Sequence, residues 1–214
     1  MKAFSSFPVV IFIMLYAVCG IFAQEWYPIG AGLRTWDADL RDVFFVNEQN
    51  GWIVGDQGMI IHTDNGGSWN EQESGISSTL NAVYFINQNE GWVIGNYGVI
   101  LHTTNAGNTW ILSQSDTNES LFDIHFLTEN IGWIVGSNGV ILHTEDGGNN
   151  WSKSTYGTND LYAVHFGSVN NGWVVGKNGT VIHWNGSKWE VENVPVKDDL
   201  YEVYYRNSDD IWAV

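Results

Sequence analysis

An all-β propeller built of four-stranded blades is the fold this sequence predicts, and two observations predict it. The first is a period. Leu40, Leu80, Leu121, Leu161 and Leu200 each precede an apolar-rich pattern, DVFFV, AVYFI, DIHFL, AVHFG and EVYYR, at intervals of 40, 41, 40 and 39 residues. The second is the texture within each period. Short β-rich bursts such as VFFV, GWIVG, MIIHT and SWNEQE alternate with Asn, Gly, Asp and Ser, and no helical period of useful length interrupts them. Each unit therefore reads as four short strands, and such units, repeated without helices, pack as blades around a central axis. Four complete units begin near residues 41, 81, 122 and 162, and a partial fifth begins near 201.

Composition agrees with a packed core and narrows the partners. The chain has 214 residues, of which 44% are hydrophobic, with 24 Gly, 3 Pro and 12 Trp. That is enough apolar material to bury a sizeable core and too much for a disordered chain. The net charge is -16, from 24 acids against 8 Lys plus Arg, with no basic cluster. Nucleic acid and anionic membrane surfaces are therefore excluded as expected partners.

Residues 1–23 read as a secretory signal peptide: Met1 and Lys2, an apolar run from Phe7 to Phe22, and a cleavage point before Gln24. The run is short for a spanning helix and nothing basic follows it, so no membrane insertion is expected after cleavage. The destination is secreted, cell-surface or periplasmic. Cys19 is the one cysteine and lies inside this segment, so the mature chain is expected to have neither disulfides nor a reactive thiol. Residues 24–214 form the propeller domain. Within it, residues 25–32 around Trp26 read as a lone fourth strand, the device by which an N-terminus closes a propeller's last blade.

Inside each unit the glycines and tryptophans have expected roles. Gly55, Gly95, Gly136 and Gly176 end the second strand and Gly58, Gly98, Gly139 and Gly179 begin the third, across a tight hairpin whose positive-φ positions suit Gly and Asn. Trp52, Trp92, Trp133, Trp173 and Trp212 recur in the second strand, where a large ring can fill the wedge between blades.

The segment after the third strand carries the most specific signal. It reads DNGGSW (Asp64, Gly66, Trp69), NAGNTW (Asn105, Gly107, Trp110) and DGGNNW (Asp146, Gly148, Trp151), which fits Asp, any, Gly, any, Ser/Thr/Asn, Trp. The acidic or amide side chain is expected to accept N–H bonds inside its own turn, and the Trp to pin the turn to the sheet. A fourth copy, HWNGSKW at 183–189, is shorter but keeps Asn185 and Trp189.

With these motifs the chain resembles the Asp-box, or bacterial neuraminidase repeat, propellers. Among them it is most similar to the photosystem II stability and assembly factor family, whose units share GW-x-x-G-x-x-G-x-I-x-x-T-x-D-G-G-x-x-W. The resemblance implies a propeller, often seven-bladed, used as a protein-binding scaffold without catalysis. Many secreted bacterial proteins outside photosynthesis resemble the same family, and this chain is expected to be one of them, continuing beyond Val214. Photosynthetic members are associated with an arginine-rich docking surface, whereas the arginines here are Arg34, Arg41 and Arg206 alone.

Sialidases resemble the same repeat class, but they bind a carboxylated sugar with an arginine triad, and none of the three arginines here stands in an Arg-Ile-Pro context. No catalytic residue, cofactor or metal site is assigned. A protein or cell-surface ligand is the expected partner, and the full-length parent is expected to be a monomer. The alternatives are an exo-glycosidase with part of its active site elsewhere, or a structural spacer in a large surface protein.

Two sets of histidines invite a metal reading. His62, His102, His143 and His183 share one position in the third strand of successive units, too far apart to share an ion, and are expected to be bonded beside the Asp-box turn. His125 and His165 lie in the innermost strand and are expected to line the central channel together, without a third ligand. Because strands alternate in direction, the hairpins between second and third strands share one face with the connections between units. These connections vary most, and Tyr97, Tyr156, Asp160 and Lys177 are the candidate contacts there.

Overall fold

The computed structural model describes residues 38–207 and 210–214. The expected signal peptide, the lone strand at 25–32 and Arg34 lie outside the described residues. The first blade is the antiparallel sheet β1 (Leu40–Phe45), β2 (Gly51–Gly55), β3 (Ile60–Thr63) and β4 (Asn70–Gln72). The second is β5 (Leu80–Phe85), β6 (Gly91–Gly95), β7 (Ile100–Thr103) and β8 (Ile111–Ser113). The third is β9 (Leu121–Phe126), β10 (Gly132–Gly136), β11 (Val140–Thr144) and β12 (Ser152–Thr155). The fourth is β13 (Leu161–Ser168), β14 (Asn171–Gly176), β15 (Thr180–Trp184) and β16 (Trp189–Val191), and β17 (Val203–Asn207) pairs with β18 (Asp210–Ala213). The fold is an all-β propeller assembly.

Apolar side chains project from both faces of each sheet, so the core lies between blades. Trp52, Val54 and Ile60 of the first blade pack with Leu80, Val83, Phe85, Val93 and Leu101 of the second. Trp92, Ile94 and Ile100 join Ile124 and Phe126 in the next layer, and Trp133, Val135 and Ile141 join Val164 and Phe166 in the one after. This follows from strand periodicity: alternate residues of one strand serve the layers before and after it.

Register explains the repeated Gly-Trp pair. Phe45, Phe85, Phe126 and Phe166 stand opposite Gly51, Gly91, Gly132 and Gly172. A Cβ on Gly91 would lie 2.5 Å from the Phe85 ring, so only glycine lets the phenylalanine lie across the neighbouring strand. The other face of that ring meets the tryptophan of the preceding blade. Trp52 stacks on Phe85 at 3.5 Å, Trp92 on Phe126 at 3.8 Å and Trp133 on Phe166 at 3.4 Å between ring centroids. Trp52 and Trp92 are fully buried and Trp133 nearly so, whereas Trp173 is half-buried. Trp212 departs from the expected wedge role. It is 64% exposed because no further blade among the described residues packs on it, and its indole N–H donates to Asp210.

The hairpin glycines divide into two kinds, which corrects part of the sequence expectation. Gly58, Gly98, Gly139 and Gly179 have φ near +70°, and the residues before them, Gln57, Tyr97, Asn138 and Asn178, are also left-handed. Two consecutive left-handed residues are what a type I′ turn requires. Gly55, Gly95, Gly136 and Gly176 are extended instead. They are glycine because a main-chain carbonyl occupies the Cβ position: that of Asp39 lies 2.4 Å from it at Gly55, and that of Thr79 2.2 Å from it at Gly95.

The innermost strands β1, β5, β9 and β13 each carry a β-bulge near their start, and each leaves one edge without a strand partner. Carboxylates supply acceptors along that edge. Asp42 accepts from the N–H of Val43 and from Val83 of the next blade, at 2.8 and 2.9 Å. Asp123 repeats this with Ile124 and Val164, and Glu202 accepts from Val203. The second and fourth blades carry Ala82 and Ala163 at the same position.

Candidate binding face

The Asp-box turns are closed local networks. In the third blade Asp146 accepts hydrogen bonds from the Thr144 hydroxyl, the main-chain N–H of Asn150 and the Asn150 amide, while Gly148 N–H donates to Thr144 Oγ1. These bonds, that of the Asn150 amide foremost, hold the Asp146 carboxyl below the ordinary aspartate range. Asn105 does the same in the second blade, accepting from Thr103 Oγ1 and Thr109 N–H, with Gly107 N–H on Thr103. Trp110 and Trp151 close their turns edge-on against Phe85 and Phe126, as Trp69 does against Phe45.

The first box differs in register from the sequence reading. Counted from the threonine that ends the third strand, Trp69 is one residue nearer than Trp110 or Trp151. Asn65, not Asp64, therefore faces the turn, accepting from Gly67 and Ser68 N–H. Asp64 stays exposed on the rim, and Gly66 takes the left-handed place held by Ala106 and Gly147 rather than that of Gly107 and Gly148. Aligning by the terminal tryptophan concealed the one-residue deletion; aligning by the threonine would have found it.

The third-strand histidines are also placed differently from the expectation. Each lies flat on the tryptophan of its own blade: His62 on Trp52, His102 on Trp92, His143 on Trp133 and His183 on Trp173, with centroids 4.2–4.9 Å apart. Where a ring nitrogen is hydrogen-bonded, its partner comes from the start of the second strand, Glu90 just before it for His102 and Asn171 at its first residue for His183, rather than from the box. Among the described residues no three His, Cys, Asp or Glu side chains are grouped to hold a metal ion. His125 and His165 are brought together at 4.7 Å, inside a run of inner-strand rings from Phe44 through Tyr84 to Tyr204. Burial, then the neighbouring His165, holds His125 down to about 4. The Tyr84 hydroxyl donates to the Phe126 carbonyl of the next blade.

On the opposite face from the boxes, the hairpin turns are tied to the connections between blades. The N–H groups of Asp56, Asn96, Ser137 and Lys177 donate to the carbonyls of Asp39, Thr79, Ser120 and Asp160. The four candidate contacts separate here. Asp160 is occupied, accepting from Asn138 N–H at 3.1 Å and pairing with Lys177 Nζ at 3.8 Å. Tyr156 is half-buried, packed near Trp189 with its main chain bonded to Gly139. Lys177 is exposed, and Tyr97 is 73% exposed at a turn tip where φ is +60°. The inner-edge carboxylates Asp42, Asp123 and Glu202 escaped the sequence reading, although the Asp, Ala, Asp, Ala, Glu series at 42, 82, 123, 163 and 202 was its signal.

The family model for photosynthesis system II assembly factor YCF48 matches residues 23–115 and 109–201. The chain belongs to the YCF48 family. No curated protein matches it. Among solved structures, YCF48 from Cyanidioschyzon merolae is similar at 21% identity with a TM-score of 0.66, over 85% of this chain and 65% of that one. An ancestral GH74 enzyme is similar at 20% identity with a TM-score of 0.65, over 81% of this chain and 26% of that one. The WD40 β-propeller domain of Doa1 matches at 12% identity with a TM-score of 0.52, covering 86% of this chain and 91% of the domain. Identities this low show the propeller fold that the YCF48-family chain shares with them. The chain spans 65% of the length of the Cyanidioschyzon merolae protein.

Proposed function

We propose that this YCF48-family chain is a non-catalytic, exported propeller that binds a protein partner through its hairpin-turn face. Tyr97 carries the reading. An L-residue in the left-handed region is strained, and bulky side chains are rarely found there. The equivalent residues are Gln57, Asn138 and Asn178, of which Asn tolerates the conformation well. A tyrosine kept at that tip with its ring in solvent sacrifices local stability for an exposed aromatic contact, the residue type most enriched in protein interfaces. The repeated polar groups of the boxes, by contrast, are spent on their own turns.

The test replaces Tyr97 by Asn and Lys177 by Ser. Tyr97→Asn should raise stability by about 1 kcal/mol through relief of backbone strain. Proteins cross-linked to the wild-type surface in extracts of the source organism should be lost from the double variant. A double variant that keeps the same cross-linked partners would overturn the assignment of the face. Turnover of glycosides by the purified chain would overturn the non-catalytic reading.

A further inference from the structure

The shortened fourth box opens a cavity that the preceding blade interfaces fill. From the end of the third strand to the closing tryptophan, the box runs from Thr144 to Trp151 in the third blade but only from Trp184 to Trp189 in the fourth. At the interface before, Gly148 lies so close to Trp92 that a Cβ would sit 2.6 Å from the indole nitrogen. In the fourth blade the atoms nearest Gly186 belong to Asn170 of its own blade, and Trp184 and Trp189, the ends of the shortened box, pack against the Trp133 cluster without filling the space between the blades. The cavity left between the third and fourth blades has a volume of about 520 Å³, within the range of small-ligand sites. Its walls include Trp133, His143, Glu145, Tyr156, Trp184 and Trp189.

We infer that this cavity is a binding site for an organic ammonium group, held by aromatic rings and Glu145. Glu145 is the one charged side chain of the wall, and three of the wall's donors are already used. Trp184 N–H is already donated to the Val169 carbonyl at 3.0 Å, and the hydroxyls of Ser152 and Ser154 donate to the carbonyls of His143 and Ile141. Beside the polar groups of Asn170 and Tyr156 the wall offers one carboxylate and aromatic rings, with Trp184 and Trp189 tilted at a centroid distance of 5.4 Å and Tyr156 and Trp189 at 6.0 Å. Such a lining complements a positive charge carrying apolar substituents. No resident cation competes: Lys153 is turned to the Asp116 carbonyl and Lys188 to Glu190. Burial keeps His143 below the ordinary histidine range, so its ring is neutral at pH 7. Trp184 occupies the position of Thr63, Thr103 and Thr144, so the added ring and the shortened box lie side by side in the sequence.

The site can be tested on the whole chain by following the indole N–H resonances of Trp184 and Trp189 by NMR. The probes are tetramethylammonium chloride, Nα-acetyl-lysine methylamide and, as a neutral molecule of similar size, tert-butanol, all at matched ionic strength. At least one cation should shift these resonances saturably, and tert-butanol should bind roughly tenfold more weakly. Saturation by the free ion alone would assign the site to a soluble cation, and by the lysine derivative alone to a partner's side chain. Trp184→Thr should abolish the response, and Glu145→Gln, an exposed substitution that leaves the blade intact, should weaken it several-fold. No saturable response to either cation, equal binding of tert-butanol, or undiminished affinity in Glu145→Gln would overturn the inference.

Discussion

Asp123 of the third blade accepts, through Oδ2, a 2.7 Å hydrogen bond from the main-chain N–H of Val164 in the fourth, while its Oδ1 takes the N–H of its neighbour Ile124. One carboxylate thereby joins two blades at an edge where no strand can pair. Asp123→Ala leaves both N–H groups without that acceptor and should cost about 1–3 kcal/mol, the range for leaving a buried donor unsatisfied. Urea melts would measure this. A loss no larger than that of an ordinary surface substitution would show that the bridge contributes nothing to stability.

The register of the first box makes a paired prediction. Asn65→Ala removes the acceptor of two turn N–H groups and should cost about 1 kcal/mol, as other side-chain caps do. Asp64→Ala should stay within about 0.5 kcal/mol of wild type. The reverse order in thermal melts would restore Asp64 as the turn's acceptor.

Gly91→Ala should be among the most damaging small substitutions in the chain. Its Cβ meets the Phe85 ring at 2.5 Å, inside a stack that Trp52 closes from the other side, so the cost should be about 2–3 kcal/mol of overpacking. Combining it with Phe85→Leu should cost less than the sum of the single changes, since the smaller side chain makes room. Strict additivity in denaturant melts would contradict the contact.

Two inner-edge groups should give opposing pH dependences. His125 titrates near 4 in the folded chain against 6.5 for a free histidine, so only the unfolded chain takes up this proton between those values, and its contribution to stability is lost as pH falls from 6.5 to 4. Burial, partly offset by the Val164 N–H, raises Asp123 to about 7 from 3.8, so acidification over that interval favours the folded state instead. His125→Phe should therefore gain on wild type as pH falls through 6.5 to 4. Asp123→Asn should lose ground as pH falls from 7 to 4. Melting temperatures that run parallel to wild type for both variants would remove the titration argument.

The propeller was legible in the sequence because its evidence is repetition. A forty-residue period, the Gly-Trp pairs and the positive-φ hairpins are local signals that recur, and recurrence fixes strand order without any knowledge of long-range contacts. The failures occurred where copies differ or where two blades meet. The motif points to Asp64 where Asn65 holds the turn, because a one-residue deletion is invisible when copies are aligned by their ends. The role of Asp123 has no local signature, since its second partner, Val164, lies 41 residues away. Tyr156 looked like a surface loop aromatic, yet the fourth-blade Trp189 draws it against the core. The cleft at Trp184 was readable only as decay of a motif, because its walls come from two blades.

The Gly-Trp pair also bears on how such chains grow. Each of the first four blades supplies the glycine seat for its own phenylalanine, and each of the first three the indole that covers the phenylalanine of its successor, so these three joints are assembled from halves carried by two consecutive copies. A duplicated forty-residue segment arrives with one half-joint at its front and the complementary half at its back. Between neighbours that carry this pair it can be inserted or removed with each phenylalanine seat still matched to a cover. The dipeptide thus acts as a coupling standard, under which blade number can change by whole-unit gain or loss while the interfaces already present need no compensating mutation.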